Sequence, residues 1–435
     1  MNIERISAAS HLTKVIRDRD AGPSLFFGGL LRGWRERALL TQEQLAERAG
    51  LNVRTVRRME SGRLQQPRAT SILLLAKALE LDGEERAALA AVARGLPARP
   101  ERDDLVVTVP RQLPAGVATL MGRGRELAAL EGHESEDPAA VVAVDGMAGV
   151  GKTALALHAA HRLAPRFPDG QLFVDLHGHT RGTAPVDPAH ALERVLRALG
   201  VAGARIPAHI DDRAALYRGV VADRRVLVVL DDAAGEDQVR PLLPASPTCR
   251  VIVTARQRLI GLDGTRTLSL DVLPVDEAVA VFTRTAGEKR VTDAPAGALR
   301  ETAERCGRLP LALRIAAVRL RSHAAWSVRD LLERLNDDRL AELKAGRHSV
   351  TAALDLSYQR LPDDQRRAYR LLGSHTGTDF SAETAAAVLD TTVARSRRLL
   401  DHLMDVHLLQ EPAPRRYRFH DLVRDHASQT VDRRA

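Results

Sequence analysis

Residues 141–160 read VVAVDGMAGVGKTALALHAA, and the rest of the chain is interpreted around them. An apolar, β-branched run at residues 141–144 precedes a glycine-rich segment, and an Ala/Leu-rich helical pattern follows it. This order predicts a strand, a loop and a helix. Residues 146–153, GMAGVGKT, match the phosphate-loop pattern GxxxxGK(S/T) at every fixed position. The stretch therefore predicts an α/β domain that binds the phosphates of a nucleotide.

Each residue type in this loop has a chemical role. Glycines let backbone N–H groups turn toward a phosphate, and the helix N-terminus adds partial positive charge. Lys152 brings a full charge to the β- and γ-phosphates, and the hydroxyl of Thr153 is a ligand for Mg²⁺. The predicted phosphate-contacting residues of the loop are Gly146, Gly149, Val150, Gly151, Lys152, Thr153 and Ala154.

Length and composition restrict the class of protein. A chain of 435 residues predicts about three or four domains. Two cysteines, Cys249 and Cys306, exclude a disulfide scaffold, and the sequence has no signal peptide and no apolar run long enough to span a bilayer. These features predict a soluble, cytoplasmic protein without a membrane partner. The net charge is +8, and residues 1–100 hold 17 Lys or Arg against 11 Asp or Glu, which indicates a polyanionic partner for the N-terminal part.

The N-terminal part has helical periodicity. Residues 1–24 are predicted to form an arm, residues 25–95 a helical domain, and residues 96–118 a linker in which DLVVTV could form a short strand. Within the helical domain, residues 41–62 read TQEQLAERAGLNVRTVRRMESG. Thr41 can cap one short helix, Gly50 turns the chain, and Asn52 can cap a second helix. This arrangement predicts a helix-turn-helix.

These residues resemble the XRE family of helix-turn-helix proteins over about 70 residues, including the MESGR stretch at residues 59–63 and Pro67-Arg68. The resemblance implies that the helix over residues 53–61 enters the major groove of double-stranded DNA, while Glu60 pairs with Arg35 in a structural role. The residues implied to face bases are Asn52, Arg54, Thr55 and Arg58, and those implied to hold phosphates are Gln42, Arg63 and Arg68. The alternative is a small helical bundle that binds protein.

Residues 119–271 alternate strand and helix patterns, which predicts a P-loop domain with a parallel sheet. Further strands are predicted at residues 171–176, 225–232 and 250–256, with polar residues at the carboxyl ends, where such sheets bind ligands. Asp231 is the expected Mg²⁺ partner opposite Thr153. Asp232 is expected to orient or deprotonate the attacking water, and Arg256 to reach the γ-phosphate, so that Asp232, Lys152 and Arg256 are the candidate catalytic residues.

Several motifs occur in the order found in the NB-ARC family of STAND-class signalling ATPases, and the similarity extends over about residues 110–430. The motifs are LMGRGRE at residues 120–126, the phosphate loop, LVVLDD, VTAR, CGRLPL at residues 306–311, and FHD at residues 419–421. The resemblance implies that Arg123 lies near the adenine, Pro310 against the base, and His420 against the β-phosphate of ADP. Gly124 stands where the first motif usually has Glu, and Arg308 where many members have Gly.

The remainder of the chain is predicted to be mostly helical. Residues 272–347 form a helical domain with amphipathic stretches at residues 276–286 and 298–320, and residues 348–435 resemble the winged-helix domain of the family. Residues 408–411 and 417–419 are expected to pair as the wing hairpin. A second DNA-binding module is the alternative for this domain. The predicted fold class is thus a multidomain α and α/β chain: an all-α head, a parallel-sheet P-loop domain, a helical domain and a winged helix.

The sequence most resembles actinobacterial transcriptional regulators that join a DNA-binding head to an NB-ARC unit. This implies a switch that is closed and inactive with ADP, and that self-associates and is active with ATP, with slow hydrolysis as a reset. The implied partners are double-stranded DNA, ATP/ADP with Mg²⁺, further copies of the chain, and a signal ligand or sensor protein. Alternatives are a DNA-associated effector or defence ATPase, and a signalling scaffold whose N-terminal bundle binds protein. The paired histidines His158/His161 and His177/His179 lack the further ligands of a metal site, so no metal beyond Mg²⁺ is expected.

Overall fold

The computed structural model describes residues 23–38, 40–64, 67–81, 85–86, 89–90, 93, 109–116, 120–132, 140–346 and 348–432. The chain divides into two compact units, residues 1–106 and residues 107–435. The predicted N-terminal arm, as far as residue 22, lies outside the described residues, as do residues 104–108 of the short strand that DLVVTV was expected to form. In the described part of the chain, no helix combines the length and the apolar character that crossing a membrane requires.

The first unit is built from short helices with strong local signals. Its principal helices are α1 (Pro23–Arg37), α2 (Gln42–Ala49), α3 (Val53–Glu60) and α4 (Ala69–Ala78). Thr41 caps α2 with both hydrogen bonds of a capping box, and the side chain of Asn52 accepts from the backbone N–H of Arg54 at the start of α3. Gly50 ends α2 in a left-handed conformation. The predicted caps and turn of the helix-turn-helix are therefore confirmed.

The core of this unit explains why α1 and α3 approach closely. A Cβ added to Gly28 on α1 would lie 2.3 Å from the carbonyl oxygen of Glu60, so only glycine fits there. Arg35 donates to the Glu60 carboxylate at 2.7 Å, which confirms the predicted structural pair. Small and apolar side chains fill the interior, among them Leu45, Ala46, Val56 and Met59.

The second unit is organised on a parallel sheet. Its five strands are β1 (Val141–Gly146), β2 (Gly170–Asp175), β3 (Val226–Ala233), β4 (Arg250–Ala255) and β5 (Thr265–Leu270). They lie in the order β2-β3-β4-β1-β5, and every pair is parallel. Because the strands are parallel, the chain segments that leave their carboxyl ends meet at one edge of the sheet. The strand β5 was not predicted, and Arg111, predicted to be linker, forms a bridge with Gln171 of β2.

Helices flank the sheet and continue to the C-terminus. Those of the nucleotide-binding part are α5 (Gly124–Glu131), α6 (Lys152–Leu163), α7 (Pro188–Ala198), α8 (Ile210–Val221) and α9 (Glu236–Val239). The next group contains α10 (Val275–Ala286), α11 (Ala298–Arg305), α12 (Pro310–Ser322), α13 (Val328–Asp337) and α14 (Arg339–Glu342). Gly307 and Arg308 both have positive φ, so the amphipathic stretch at residues 298–320 is divided into α11 and α12.

The C-terminal part contains five helices and a hairpin. A two-residue ladder, β6 (Lys344–Ala345) and β7 (His348–Ser349), leads into α15 (Val350–Gln359), α16 (Asp363–Gly373), α17 (Ala382–Leu389) and α18 (Val393–Asp405). The strands β8 (Gln410–Ala413) and β9 (Arg416–Arg418) then pair antiparallel, and α19 (Asp421–Asp432) follows. The expected hairpin is therefore confirmed, but its strands differ from the predicted residues 408–411 and 417–419, and the connection is shortened to residues 414–415.

Candidate nucleotide site and recognition helix

The loop between β1 and α6 places a lysine inside a backbone cradle. The Nζ atom of Lys152 donates to the carbonyl oxygens of Gly146 at 2.7 Å and Met147 at 2.9 Å. Gly149 and Gly151 have φ values of 81° and 103°, which residues with a side chain rarely adopt. Burial, together with the nearby charge of Arg256, lowers the pKa of Lys152 to about 7, against the charges of Asp232, Asp231 and Asp145. The loop thus holds the Lys152 ammonium group by hydrogen bonds to two carbonyl oxygens, which an anion can replace.

Two threonines organise the first carboxylate at the end of β3. The hydroxyl of Thr153 donates to Oδ1 of Asp231 at 2.8 Å, and the hydroxyl of Thr254 on β4 donates to the same oxygen at 2.6 Å. Burial raises the pKa of Asp231, against these hydrogen bonds. The structure therefore brings the two predicted Mg²⁺ ligands, Thr153 and Asp231, into contact.

A cavity of about 700 Å³ opens beside the loop. Its volume lies within the range of about 300–1,000 Å³ that small-ligand sites have. The predicted site residues that line it are Arg123, Gly149, Val150, Gly151, Lys152, Thr153, Ala154, Asp231, Asp232, Arg256 and Pro310. Gly146 and His420 are not among the described residues that line the cavity.

Arg123 lines this cavity and connects two segments of the chain by hydrogen bonds. Its guanidinium donates to the carbonyl oxygens of Asp271 at 2.6 Å and Val150 at 3.3 Å, and to the carboxylate of Glu126 at 2.8 Å. The arginine therefore joins the segment before β1 to the phosphate loop. Its predicted position near the adenine stays a prediction.

Arg256 faces two parts of the second unit at once. Its Nε lies 3.8 Å from Oδ1 of Asp232, and its Nη1 donates to the carbonyl oxygen of Ala353 at 2.7 Å and to Oγ of Ser357 at 3.2 Å. Ala353 and Ser357 belong to α15. Arg256, predicted to reach the γ-phosphate, thus also joins the cavity to the C-terminal helices.

His420 contacts the turn before α12, and its implied position against the β-phosphate stays a prediction. Its Nε2 lies 2.9 Å from the carbonyl oxygen of Gly307, in the turn that precedes α12. Burial lowers the pKa of His420, against the hydrogen bond to Gly307 and the charge of Asp421, so the ring is neutral near pH 7. The structure places His420 beside the turn that carries Pro310, and not in the lining of the cavity.

A second histidine contact was not predicted. His407, in the segment between α18 and β8, has its Nε2 2.9 Å from Oδ1 of Asp145, whose side chain is fully buried at the end of β1. Burial raises the pKa of Asp145, but His407, Ser269 and Arg258 together outweigh this effect and leave the pKa below its usual value. Asp145 stands directly before the phosphate loop in the sequence. A carboxylate at the end of an apolar strand was the one sequence feature that could have indicated a buried polar contact here.

These residues fit a nucleoside triphosphate and its metal ion. A Cβ at Gly149 would lie 2.9 Å from Leu311, so the glycine keeps the loop close to the start of α12. The lysine in its carbonyl cradle suits a phosphate, and a hydroxyl paired with a carboxylate is an oxygen donor set that suits Mg²⁺. The chemical character of the site agrees with the predicted ligands ATP/ADP and Mg²⁺.

Most candidate DNA-contacting residues of the first unit are exposed, whereas the candidate nucleotide-binding residues line a cavity. Asn52, Arg54, Arg58, Arg63 and Arg68 are exposed, and Thr55 is half-buried. Gln42, predicted to hold a phosphate, donates to the Glu60 carboxylate at 2.7 Å and accepts from Nε of Arg57 at 3.3 Å. Its amide thus connects α2 to α3, and its phosphate contact stays a prediction.

Comparison with protein families and known proteins agrees with this architecture. Residues 27–89 match the helix-turn-helix domain family, and residues 126–292 match the NB-ARC domain family. Both resemblances stated from the sequence are therefore confirmed at the level of the domain family.

Two relatives and one solved structure are similar to large parts of the chain. The regulatory protein AfsR of Streptomyces coelicolor is 47% identical over 334 residues, which cover 74% of this chain and 33% of the relative. AfsR of Streptomyces griseus is 45% identical over 337 residues, covering 74% of this chain and 34% of the relative. The chain spans about a third of the length of these relatives. A Walker-type ATPase of Pyrococcus abyssi is 14% identical with a TM-score of 0.52, over 74% of this chain and 99% of the other, which shows a shared fold.

Proposed function

The chain carries a helix-turn-helix domain and an NB-ARC domain, and we propose that it is a DNA-binding transcriptional regulator that ATP and ADP switch between two states. In this proposal ADP holds the second unit closed, and exchange for ATP releases the C-terminal helices and allows self-association. Association then brings several helix-turn-helix heads onto spaced half-sites. Hydrolysis resets the switch slowly, and a signal ligand or a sensor protein sets the rate of exchange.

The observation that carries this proposal is the set of contacts between the nucleotide cavity and the C-terminal helices. Arg256 lines the cavity and also bonds to α15, so a ligand that attracts its guanidinium competes with Ala353 and Ser357. His407 contacts Asp145 directly before the phosphate loop. A ligand shifts an equilibrium only by its different affinities for the two states. These contacts supply a physical reason for such a difference, because the same side chains serve the cavity and the interface.

The residues of the chain have distinct roles in the proposed site. The loop amides and Lys152 bind the β- and γ-phosphates, Arg123 supports the loop near the adenine, and Pro310 packs against the base. Thr153 and Asp231 would hold Mg²⁺, which neutralises charge on the phosphates when it is bound. Asp232 and Arg256 would act on the γ-phosphate end, and their position in the lining of the same cavity as Lys152 supports these roles.

The first unit supplies DNA binding in this proposal. The exposed side chains of α3 enter the major groove, and Arg63 and Arg68 contact phosphates on either side. The charge of the N-terminal 100 residues, 17 Lys or Arg against 11 Asp or Glu, favours a polyanion.

The proposal is tested by capturing fragmented genomic DNA on the full chain, with ADP or with ATP. We expect a small set of enriched sites with ATP, and much weaker enrichment of the same sites with ADP. Enrichment that is equal with both nucleotides would refute the switch. DNA capture without any sequence preference, together with fast DNA-stimulated hydrolysis, would instead support the effector ATPase. Absence of salt-dependent DNA affinity would support the protein-binding scaffold.

The closed state is tested with His407→Ala, for which His402→Ala is a matched control because His402 is exposed on the preceding helix. Removing His407 leaves the buried Asp145 carboxylate without this contact, and a buried polar group without a partner costs about 1–3 kcal/mol or more. We expect His407→Ala to release ADP faster and to self-associate more readily than the control, as measured by stopped flow and light scattering. Unchanged ADP release would show that this contact does not hold the closed state.

His420→Ala tests the latch that the family resemblance implies. The resemblance predicts faster ADP release, by about 10- to 150-fold if a charge-assisted bond to phosphate of about 1.5–3 kcal/mol is lost. If His420 only supports the turn at Gly307, the melting temperature of the nucleotide-free protein falls while the ADP release rate is unchanged. Measuring both quantities on the one variant distinguishes the two roles.

A further inference from the structure

The backbone of the segment after β2 is hydrogen-bonded to the end of β3. Gly178 donates to the carbonyl oxygen of Asp232 at 2.6 Å, and a Cβ added to this glycine would lie 2.3 Å from that oxygen. No side chain fits at this position, so the close approach requires glycine. The next residue, His179, is thereby held against the Asp232 side chain.

His179 binds both oxygens of the Asp232 carboxylate. Its backbone N–H donates to Oδ2 at 2.7 Å, and its ring nitrogen Nδ1 lies 3.3 Å from Oδ1. The ring is 8% exposed and lines the same cavity as Lys152, Thr153 and Asp231. Because Nδ1 faces Asp232, the nitrogen Nε2 is directed away from it. Nε2 has no hydrogen-bond partner among the residues that the structure describes.

The charges around the pair determine which form each group takes. Burial lowers the pKa of His179, the hydrogen bond to Asp232 opposes this, and the charges of Arg256 and Arg360 lower it again. Burial raises the pKa of Asp232, but the hydrogen bonds from His179 outweigh it and leave the pKa below its usual value. Near pH 7 the pair therefore consists of a neutral imidazole and a carboxylate. In that state Nδ1 carries the proton that Asp232 accepts, and Nε2 has a free lone pair.

We propose that His179 is the base that takes a proton from the water that attacks ATP. In this proposal Asp232 orients the imidazole of His179. This inference rests on the nucleotide binding proposed above, and it separates the two roles that Asp232 alone was expected to perform. The water oxygen forms a bond to the γ-phosphorus while the bond from phosphorus to the β,γ-bridging oxygen breaks. The electron pair of that bond leaves with ADP, and one water proton passes to Nε2 of His179. The imidazolium then releases this proton to solvent.

The arrangement favours His179 over Asp232 as the base for a geometric reason. Both carboxylate oxygens of Asp232 already accept from His179, and Arg256 lies 3.8 Å from one of them. The carboxylate is therefore engaged in holding the imidazole, whereas Nε2 of His179 has no hydrogen-bond partner among the described residues. A carboxylate that fixes the tautomer of an imidazole, by contrast, is the arrangement that makes a histidine an effective base.

The test compares His179→Gln with His177→Asn in the full chain. His177 belongs to the same segment but contacts Asp175 and Thr180 instead of Asp232, so it is a matched control. We expect His179→Gln to keep the Kd for ATP and to lower kcat by about 10²- to 10⁴-fold, which is the usual contribution of a general base. The wild-type rate falls as the pH drops through the pKa of the imidazole, and this acidic limb should disappear in His179→Gln. His177→Asn should keep both the wild-type rate and its decrease at acidic pH.

A measurement on the protein without nucleotide tests the geometry independently of hydrolysis. The ¹⁵N NMR spectrum of the imidazole rings should contain one Nδ1–H tautomer that is absent in His179→Gln, and Asp232→Asn should shift it toward Nε2–H. The inference is overturned if His179→Gln hydrolyses ATP at the wild-type rate, if it keeps the acidic limb, or if the wild type binds ATP without hydrolysing it. A wild type that binds neither ATP nor ADP would overturn the proposed function as well, so the two failures are distinguishable.

Discussion

The recognition helix α3 and the phosphate loop both present positive charge, but they hold it in opposite ways. Arg54 and Arg58 on α3 are exposed and form no ion pair with any residue that the structure describes. Lys152 is buried, and two carbonyl oxygens hold its ammonium group. Exposed cations act over a longer distance and are screened by salt, whereas a buried cation acts at contact and its charge depends on pH. Salt should therefore control the first site, and pH the second.

The largest expected effect comes from Lys152→Ala. Removing one member of a buried charge pair costs about 2–5 kcal/mol, so the affinity for ATP and ADP should fall by about 30-fold or more. Calorimetric titration measures it, and Lys289→Ala is the control because this lysine is exposed. The first unit shares no core residue with the loop, so DNA binding by the head should persist. Retained micromolar affinity for ATP in Lys152→Ala would contradict the site.

Arg54→Ala and Arg58→Ala should have the next largest effect. Each should cost about 1–3 kcal/mol on the specific DNA site and relax base preference, because an arginine can form two hydrogen bonds with guanine. Arg57→Ala removes the same charge from the same helix, but its guanidinium is paired with Glu43. The control should therefore keep the base preference. Binding to a library of sequences measures this, and equal behaviour of all three variants would contradict the placement of α3 in the groove.

Arg63→Ala and Arg68→Ala should have a smaller and less selective effect. As phosphate contacts they should weaken all DNA sequences alike, and each should flatten the dependence of log K on log salt by about one unit. Titrations over a range of salt concentrations, with specific and random DNA, check this expectation. A loss confined to the specific site would make them base-reading residues.

The smallest expected effect is a proton taken up on nucleotide binding. The pKa of Lys152 is about 7 in the folded chain and 10.5 in the unfolded chain. Between pH 7 and pH 10.5, Lys152 is therefore protonated to a smaller extent in the folded chain than in the unfolded chain. The stability of the protein without nucleotide should therefore rise with pH across this window, and this gain is absent below about pH 7. A bound phosphate favours the charged lysine, so ADP should bind with uptake of up to about one proton at about pH 8.5. Calorimetry in buffers with different ionisation enthalpies measures this uptake, and no uptake would mean that Lys152 stays charged.

Sequence patterns were most informative where a motif is contiguous. The residues 41–62 predicted two caps and a turn, and the residues 146–153 predicted a glycine loop between a strand and a helix, because each of these features forms within a few positions of the chain. The family resemblance added the pair of Arg35 with Glu60, which joins two helices. The strand β5 was missed because its half-buried residues show no continuous apolar run.

Contacts between distant segments were harder to predict. The sequence did not indicate that His420 contacts Gly307, and its expected contact with a phosphate stays a prediction. His407 and His179 were each visible as one histidine among 15, and neither sequence position indicates a carboxylate partner. The partners, Asp145 and Asp232, stand at the ends of buried strands, where carboxylates are common.

The sequence by itself determined the two domain families, the phosphate loop and the helix-turn-helix, since local backbone preferences and hydrogen bonds between near neighbours suffice to form them. Only the tertiary structure decided that Arg256 serves both the cavity and α15, that His407 contacts Asp145, and that His179 binds Asp232. The physical reason is burial. A carboxylate that packing removes from water must find a partner, and which side chain reaches it depends on how the separate elements pack and not on their order in the chain.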